Sequence, residues 1–544
     1  RMKSSSHWPK HIYLIASGEA THQHKATRES MGSKAYNLLR MAEIGLIVPP
    51  ALVIGTHFTR TPDECMLPLF AVGLAALQDV SGLVFGDARN PLIVSVRSGA
   101  PVSMPGMMET LLNIGLCDST APGLLRQTGN PRLVWDAYRR LIASYAEVVA
   151  GLPGSLFEAE INRTTGGRDE RELDFSELRE LTARFKSIYQ QNAGSAFPQD
   201  VNEQLSGAVR AVFASWNSDK AQAYRDINGI DAAMGTAVTI QAMAFGNSGG
   251  HSGAGVGFTR DPTTGDRKLW VDFLANAQGE DVVSGRRNAH GHQAMADLVP
   301  GAWRSLQEAV QALERAFGDM QDFEFTVQEG VLHMLQTRTG KRTPLAAARI
   351  AMDLLEEGLI DAATAHERTA GLQESDMGRV QIAPVDDKQT PVSPCARAAT
   401  ACPGVVSGEI ALDGERAAAR AAQGVQVVLV RQDAETSDIV ALESAVGLLT
   451  QRGARTSHAA VVARQLGRVC LVGCDNLHIE SEARTIRLGD LVLQEGDTIT
   501  LDGNEGAVYD GVVAAVMVPD AALVSRLRAL RASHAAGHQR RHGA

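Results

Sequence analysis

Gly453-Ala-Arg-Thr-Ser-His458-Ala-Ala-Val-Val-Ala-Arg464 sets a histidine between an apolar strand, AVGLLTQ (445–451), and an Ala/Val-rich helix. Thr456 or Ser457 can cap that helix, which leaves His458 in its first turn. Free backbone N–H groups and the positive end of the helix dipole stabilise an anion at such a place. A phosphoryl group on an imidazole nitrogen is an anion of this kind, and imidazole is a competent nucleophile near neutral pH. The same residues also fit a histidine that only caps the helix or packs near its start. A strand, a turn and a helix in this order read as α/β architecture.

A second pattern lies upstream. Asp322 and Glu324 stand two residues apart in DFEFTVQ (322–328), and Gln336 and Arg338 repeat that spacing in MLQTR (334–338). A strand points alternate side chains to one face. With Glu329-Gly330 at the tip of a hairpin, paired residue numbers sum to 660, so Glu324 faces Gln336 and Asp322 faces Arg338. Two carboxylates can hold magnesium, an arginine can neutralise phosphate oxygens, and the amide can fix geometry. A surface hairpin with cross-strand ion pairs fits the spacing as well.

Between and around these motifs, short Val/Ile strands alternate with Ala-rich helices, which predicts a mixed α/β, multidomain chain. Its 544 residues exceed what one core accommodates, and ~150 residues per domain gives three or four units. The segment Leu124–Ala232 reads as mostly helical, with amphipathic stretches such as SELRELTARFKSIYQQ (176–191). PLAAARIAMDLLEEGLIDAATAHERTAGL (344–372) reads as a helical connector, and the polar, proline-punctuated stretch Gln373–Pro394 as a linker. The end, from Arg526 on, is basic and His-rich and predicts a short helix followed by a frayed tail.

The formal net charge of -10 argues against a general nucleic-acid binder, which needs a basic surface. Six cysteines are scattered without a C-x-x-C and predict free thiols in a reducing compartment. IYLIASG (12–18) is too short for a signal peptide, and no run of ~20 apolar residues is apparent, so the expectation is a cytoplasmic protein with no membrane span.

TSHAAVVAR (456–464), with VQVVLVRQDAETSDI (425–439) and QEGDTITLDGNEGAVYDG (494–511), resembles the phosphohistidine swivelling domain of the phosphoenolpyruvate-utilising enzymes. SVRSGAPVSMPGMMETLLNIGL (95–116), HSGAGVGFTRDPTTGD (251–266), NAQGEDVVSG (276–285) and MQDFEFTVQEGVLHMLQTRTGKR (320–342) resemble the ATP-grasp half of the pyruvate phosphate dikinase family. So does MGSKAYNLLRMAEIGLIVPP (31–50). The resemblance implies an ATP-grasp domain over 1–342 with a helical insert at about 124–232, and a helical connector and linker over 343–395. A compact β/β/α swivelling domain over 396–515 and a basic tail over 516–544 complete the expected organisation.

By the same resemblance, His458 is the phosphoryl carrier and Thr456 sits where plant members carry a regulatory threonine. Lys34 and Arg97 would contact ATP phosphates and Glu280 would lie near the nucleoside. Asp322, Glu324, Gln336 and Arg338 would complete the magnesium and phosphate site, and the glycines at 253, 255 and 257 suit a backbone close to polyphosphate. The implied activity is a dikinase: ATP and inorganic phosphate give AMP, pyrophosphate and a phosphohistidine. The family's pyruvate-binding barrel would follow Gly511, and the sequence departs from it there. The expectation is therefore an acceptor held by a separate protein or an unknown small molecule. A truncated dikinase and a nucleotide-binding regulator without turnover remain as alternatives. Two departures bear on the last: Ala254 stands where the family carries threonine, and Arg455 where it carries an apolar residue.

Overall fold

A computed structural model describes residues 8–17, 25–104, 106–283, 291–385, 392–434, 436–453, 455 and 457–542. The architecture is mixed α/β, and the chain divides into two compact units, 1–252 with 327–337, and 253–326 with 338–544.

The first unit is built on a five-stranded antiparallel sheet in the order Ile12–Ile15, Ala51–Ile54, Ala237–Ala242, Val94–Gly99, Thr110–Ile114. The strand Ala237–Ala242 is buried along its whole length, which its Ala/Val/Ile content permits. Helices Pro131–Val148, Phe175–Ala193 and Val201–Ala214 carry the helical stretch read from the sequence. Asp174 and Glu177 form a reciprocal capping box that starts the second of these. Tyr138, Leu141, Phe185 and Phe213 join Val94, Val96 and Ile240 of the sheet in one core. Beneath it, Asp136 accepts from Nε and Nη2 of the buried Arg139 at 3.0 and 2.7 Å. Burial opposes the Asp136 charge, but Arg139, Arg140 and Arg132 outweigh it and hold the carboxyl below its usual range.

Among the described residues one helical stretch, Pro62–Ser81, is long and apolar enough by length and composition to cross a membrane, which qualifies the expectation that no such run exists. Cys65, Leu69, Leu74 and Leu77 within it lie in the core just described, as in a core helix of a globular domain.

In the second unit, Gly253–Phe258 pairs antiparallel with Trp270–Ala275. They belong to a four-stranded sheet completed by Gln321–Gln328 and Val331–Thr339. The last two strands meet at Glu329 and Gly330, whose φ angles of 48° and 81° are those of a two-residue hairpin turn. Arg260 is fully buried and donates to both Glu314 and Glu357.

The same unit contains an eight-stranded sheet with a parallel centre: Val405–Ala411, Val427–Arg431, Gly447–Thr450 and Val469–Val472. Thr498–Asp502, Ala507–Asp510, Ala396–Arg397 and Ala399–Cys402 flank it antiparallel. Helix His458–Leu466 joins two of the central strands, so its N-terminus opens at the carboxyl end of Gly447–Thr450. That end of a parallel sheet is where α/β proteins gather ligands.

Two local readings need correction. The stretch read as a linker contains the strand Gly378–Ile382, which pairs antiparallel with Ala515–Pro519. Its partner comes after the whole intervening sheet, so no nearby hairpin signal marked it. The end of the chain is a helix, Ala521–His542, longer than expected. Leu523, Leu527 and Leu530 are buried with Leu345, Ala348 and Met352 of helix Pro344–Glu356, and this packing stabilises a segment whose Ala/Arg/His content looked like a frayed tail.

Candidate functional site

Lys34 lies in the first turn of helix Ser33–Glu43 and is exposed. That helix starts against the end of the strand carrying Arg97: Ser33 N donates to Ala100 O at 3.1 Å, and Ser33 Oγ to Pro101 O at 2.6 Å. Gly32 has φ 81°, and a Cβ there would run into the Gly99 carbonyl, so only glycine permits this approach. Farther along, Asn37 Nδ2 donates to Thr337 O at 3.0 Å, next to Gln336. Arg97 and Gln336 are half-buried, and Arg97 Nε makes a long contact of 3.4 Å with Ser95 Oγ. The first unit thus ties together the elements that carry Lys34, Arg97 and Gln336.

The second unit holds Asp322, Glu324 and Arg338. Phe323, Phe325 and Val327 are buried in the strand's one face, which leaves Asp322 and Glu324 on the other. Arg338 Nε donates to Asp322 Oδ2 at 2.9 Å, so these two share a face, as the hairpin spacing requires. Burial pushes the Asp322 carboxyl above its usual range, and Glu324 acts in the same sense, against Arg338 and Arg464. Burial also opposes the Arg338 charge, but Asp322 and Glu324 outweigh it and hold the guanidinium protonated.

Ser457 caps helix His458–Leu466, its side chain accepting from Ala460 N at 3.4 Å, so His458 is the first helical residue. Thr456 lies outside the described residues, as do the side chains of His458 and Glu280. The backbone of Glu280 belongs to the short helix Gly279–Val283.

Two arginines missed or underused by sequence reasoning anchor this region. Arg464, on helix His458–Leu466, is fully buried and donates from Nη1 to Ala401 O at 2.8 Å and to Arg455 O at 3.0 Å. Its guanidinium also stacks 5.2 and 5.3 Å from the rings of Phe258 and Trp270. Burial lowers its pKa, and Asp322 and Asp272 are among the anions that oppose this. Arg455 donates from Nε to Asp272 Oδ1 at 2.8 Å and from Nη2 to Val271 O at 3.0 Å, with its guanidinium 4.1 Å over Trp270. The gathering of two arginines beside one tryptophan was not visible locally, because Arg455 and Asp272 are 183 residues apart.

The glycines at 253, 255 and 257 pack closely against aromatic rings. A Cβ on each would meet Phe273, Phe325 or Phe323, so these positions are kept empty by aromatic packing. Ala254, on the opposite face, lies in an apolar cluster with Val256, Leu274, Ala277 and Val282.

Residues 77–298 match the pyruvate phosphate dikinase AMP/ATP-binding domain, and residues 424–506 match the mobile domain of the PEP-utilising enzymes. The chain carries a pyruvate phosphate dikinase AMP/ATP-binding domain and a mobile domain of the PEP-utilising enzymes. It is 41% identical over 501 residues to pyruvate, phosphate dikinase 2 of Zea mays, covering 90% of this chain and 56% of the maize protein. To pyruvate, phosphate dikinase of Clostridium symbiosum it is 40% identical over 523 residues, covering 92% of this chain and 58% of that protein. The corresponding protein of Rhizobium meliloti is 39% identical over 533 residues, with 93% and 58% covered. The chain therefore spans little more than half the length of these dikinases. Its mobile-domain match contains His458, and its AMP/ATP-binding match contains Arg97, Asp272 and Glu280.

Proposed function

We propose that this chain phosphorylates its own His458 at the expense of ATP, with inorganic phosphate as co-substrate. The γ-phosphoryl leaves with phosphate as pyrophosphate, the β-phosphoryl is transferred to the imidazole, and AMP departs. The phosphohistidine then passes its group to an acceptor bound outside the two matched domains. The observation that carries this reading is that the helix beginning at His458 and the Asp322/Glu324/Arg338 cluster belong to one compact unit, with Arg464 of that helix stacked on Phe258 and Trp270 of the sheet that bears Asp322.

Asp322 and Glu324 suit magnesium as hard oxygen donors from one strand face. No cluster of three or more His, Cys, Asp or Glu that could hold a metal exists among the described residues. Two carboxylates still fit a magnesium whose other ligands are water and substrate phosphates, the usual arrangement at polyphosphate sites. Bound there, the ion would screen the charge that builds on the polyphosphate. Arg338 supplies fixed positive charge to the same oxygens, and Lys34 and Arg97 are the phosphate-binding candidates of the first unit. The helix N-terminus at Ser457 and His458 favours the anion formed on the imidazole.

A regulatory protein without turnover would explain Ala254 as a lost ligand. That residue is enclosed by apolar side chains, so its missing hydroxyl favours no such reading.

The test is isotopic. Incubation with magnesium, phosphate and β-labelled ATP should give an acid-labile, base-stable label that His458→Ala abolishes, with ATP binding retained. Label from γ-labelled ATP would mean an ordinary kinase, and no label from either would sink the proposal.

A further inference from the structure

Arg455 occupies a setting that needs its full guanidinium. Its Nε and Nη2 meet Asp272 Oδ1 and Val271 O, and its flat face covers Trp270. The Asp272 side chain is only 5% exposed, its Oδ2 has no hydrogen-bond partner, and Arg455 is the cation paired with it. A buried carboxylate is tolerated only with such a counter-charge. An apolar side chain could cover Trp270 but would leave Asp272 unpaired. Lysine would supply charge without the planar fork or the ring stack.

The two sides of this contact belong to different sheets. Trp270, Val271 and Asp272 lie on the edge strand of the four-stranded sheet, and Arg455 lies in the loop that leads into the carrier helix, three residues before His458. Arg464 of that helix stacks on the same tryptophan and donates to the Arg455 carbonyl, so Arg455 is held by both its guanidinium and its backbone.

We propose that Arg455 is a positioning residue: a polar latch that seats the phosphohistidine loop on Trp270 and Asp272 and so sets how often His458 is presented for charging. The charging half of this statement rests on the proposed function; the latch itself does not. An ion pair and a cation–π stack suit a seat that must open again, because both partners are well solvated once apart, whereas an apolar seam would expose surface on opening. The latch also makes seating salt-sensitive.

The experiment uses the full chain as Arg455→Met, Arg455→Lys, Asp272→Asn and the Met/Asn double variant. Oxidative footprinting of the Trp270 ring without nucleotide reads seating directly, and β-labelled ATP reads charging. Arg455→Met should raise Trp270 oxidation severalfold and slow charging by about tenfold, the factor carried by one charge-assisted hydrogen bond, with ATP affinity unchanged. Lysine should recover part of both effects, and the double variant should be no worse than either single one. A thermal midpoint within a few degrees of wild type identifies variants that have folded, and the Met/Asn double variant is the one that leaves no buried charge unpaired. Unchanged Trp270 oxidation in Arg455→Met, or effects that multiply in the double variant, overturns the latch. Coupled footprints in a protein that takes no label would leave the latch standing and remove the phosphotransfer reading. Normal labelling with uncoupled footprints would do the reverse.

Discussion

Arg338 reaches across the base of its hairpin to Asp322, with 2.9 Å between Nε and Oδ2. The carboxylate is the buried partner and the guanidinium the half-exposed one, at 12% and 48% side-chain exposure. Removing the two is therefore not symmetric. Arg338→Ala strands a buried charge and should cost about 1–3 kcal/mol of stability. Asp322→Asn removes that charge and should cost less, although both should abolish labelling from ATP. Denaturant titration compares them, and a less stable Asp322→Asn would contradict the assignment of the buried partner.

Asp136 provides the pH test. Its carboxyl is held below the usual range by Arg139, Arg140 and Arg132, despite burial. The stability it contributes is complete above the unfolded carboxylate value of about 3.9 and is lost as pH falls through its lower folded value. Asp136→Asn should lower stability at neutral pH by about 3 kcal/mol, because Arg139 is buried beside it. Below about pH 4 the gap between variant and wild type should narrow. A gap that widens on acidification would reverse the sign of the argument.

Glycine replacements separate packing from backbone preference. A Cβ at Gly255 would run into the Phe325 ring, whereas one at Gly301, in helix Pro300–Phe317, meets nothing. Gly255→Ala should cost about 1–3 kcal/mol through overpacking. Gly301→Ala should stabilise by about 0.5–1 kcal/mol through helix propensity. Equal midpoints for both variants would show that the aromatic rings yield freely.

The C-terminal helix is held by its leucines. Leu527 is fully buried against residues of helix Pro344–Glu356, so Leu527→Ala should cost about 2–5 kcal/mol. Proteolysis within Ala521–His542 should rise in step. A neutral result would mean that this helix frays as its composition suggested.

What could be read in advance followed local periodicity. Two-residue spacing grouped Asp322 with Glu324, and Ser457 marked the start of helix His458–Leu466, because neighbours in sequence decide both. What escaped reading depends on partners distant in sequence. Gly378–Ile382 becomes a strand only because Ala515–Pro519 lies beside it, and Arg455 looked like a spare charge until Trp270 and Asp272 came under it. Glycines 253, 255 and 257 carried an ambiguous signal, since aromatic neighbours and polyphosphate both demand the absence of a side chain.

The pairing of Gly378–Ile382 with Ala515–Pro519 has a topological consequence. Ile382 and Ala515 are direct cross-strand partners, and Ala383 N still donates to Ala514 O at 2.9 Å, so the sheet bearing His458 leaves and rejoins the chain at almost one point. It is a cassette spliced into a hairpin. A two-residue turn could close that hairpin in its place. The remainder would keep its own ribbon, its leucine-lined helices and every residue of the Asp322–Arg338 cluster. Such a splice lets the His458-bearing sheet be gained, lost or exchanged as one piece of DNA without rewiring the fold that receives it.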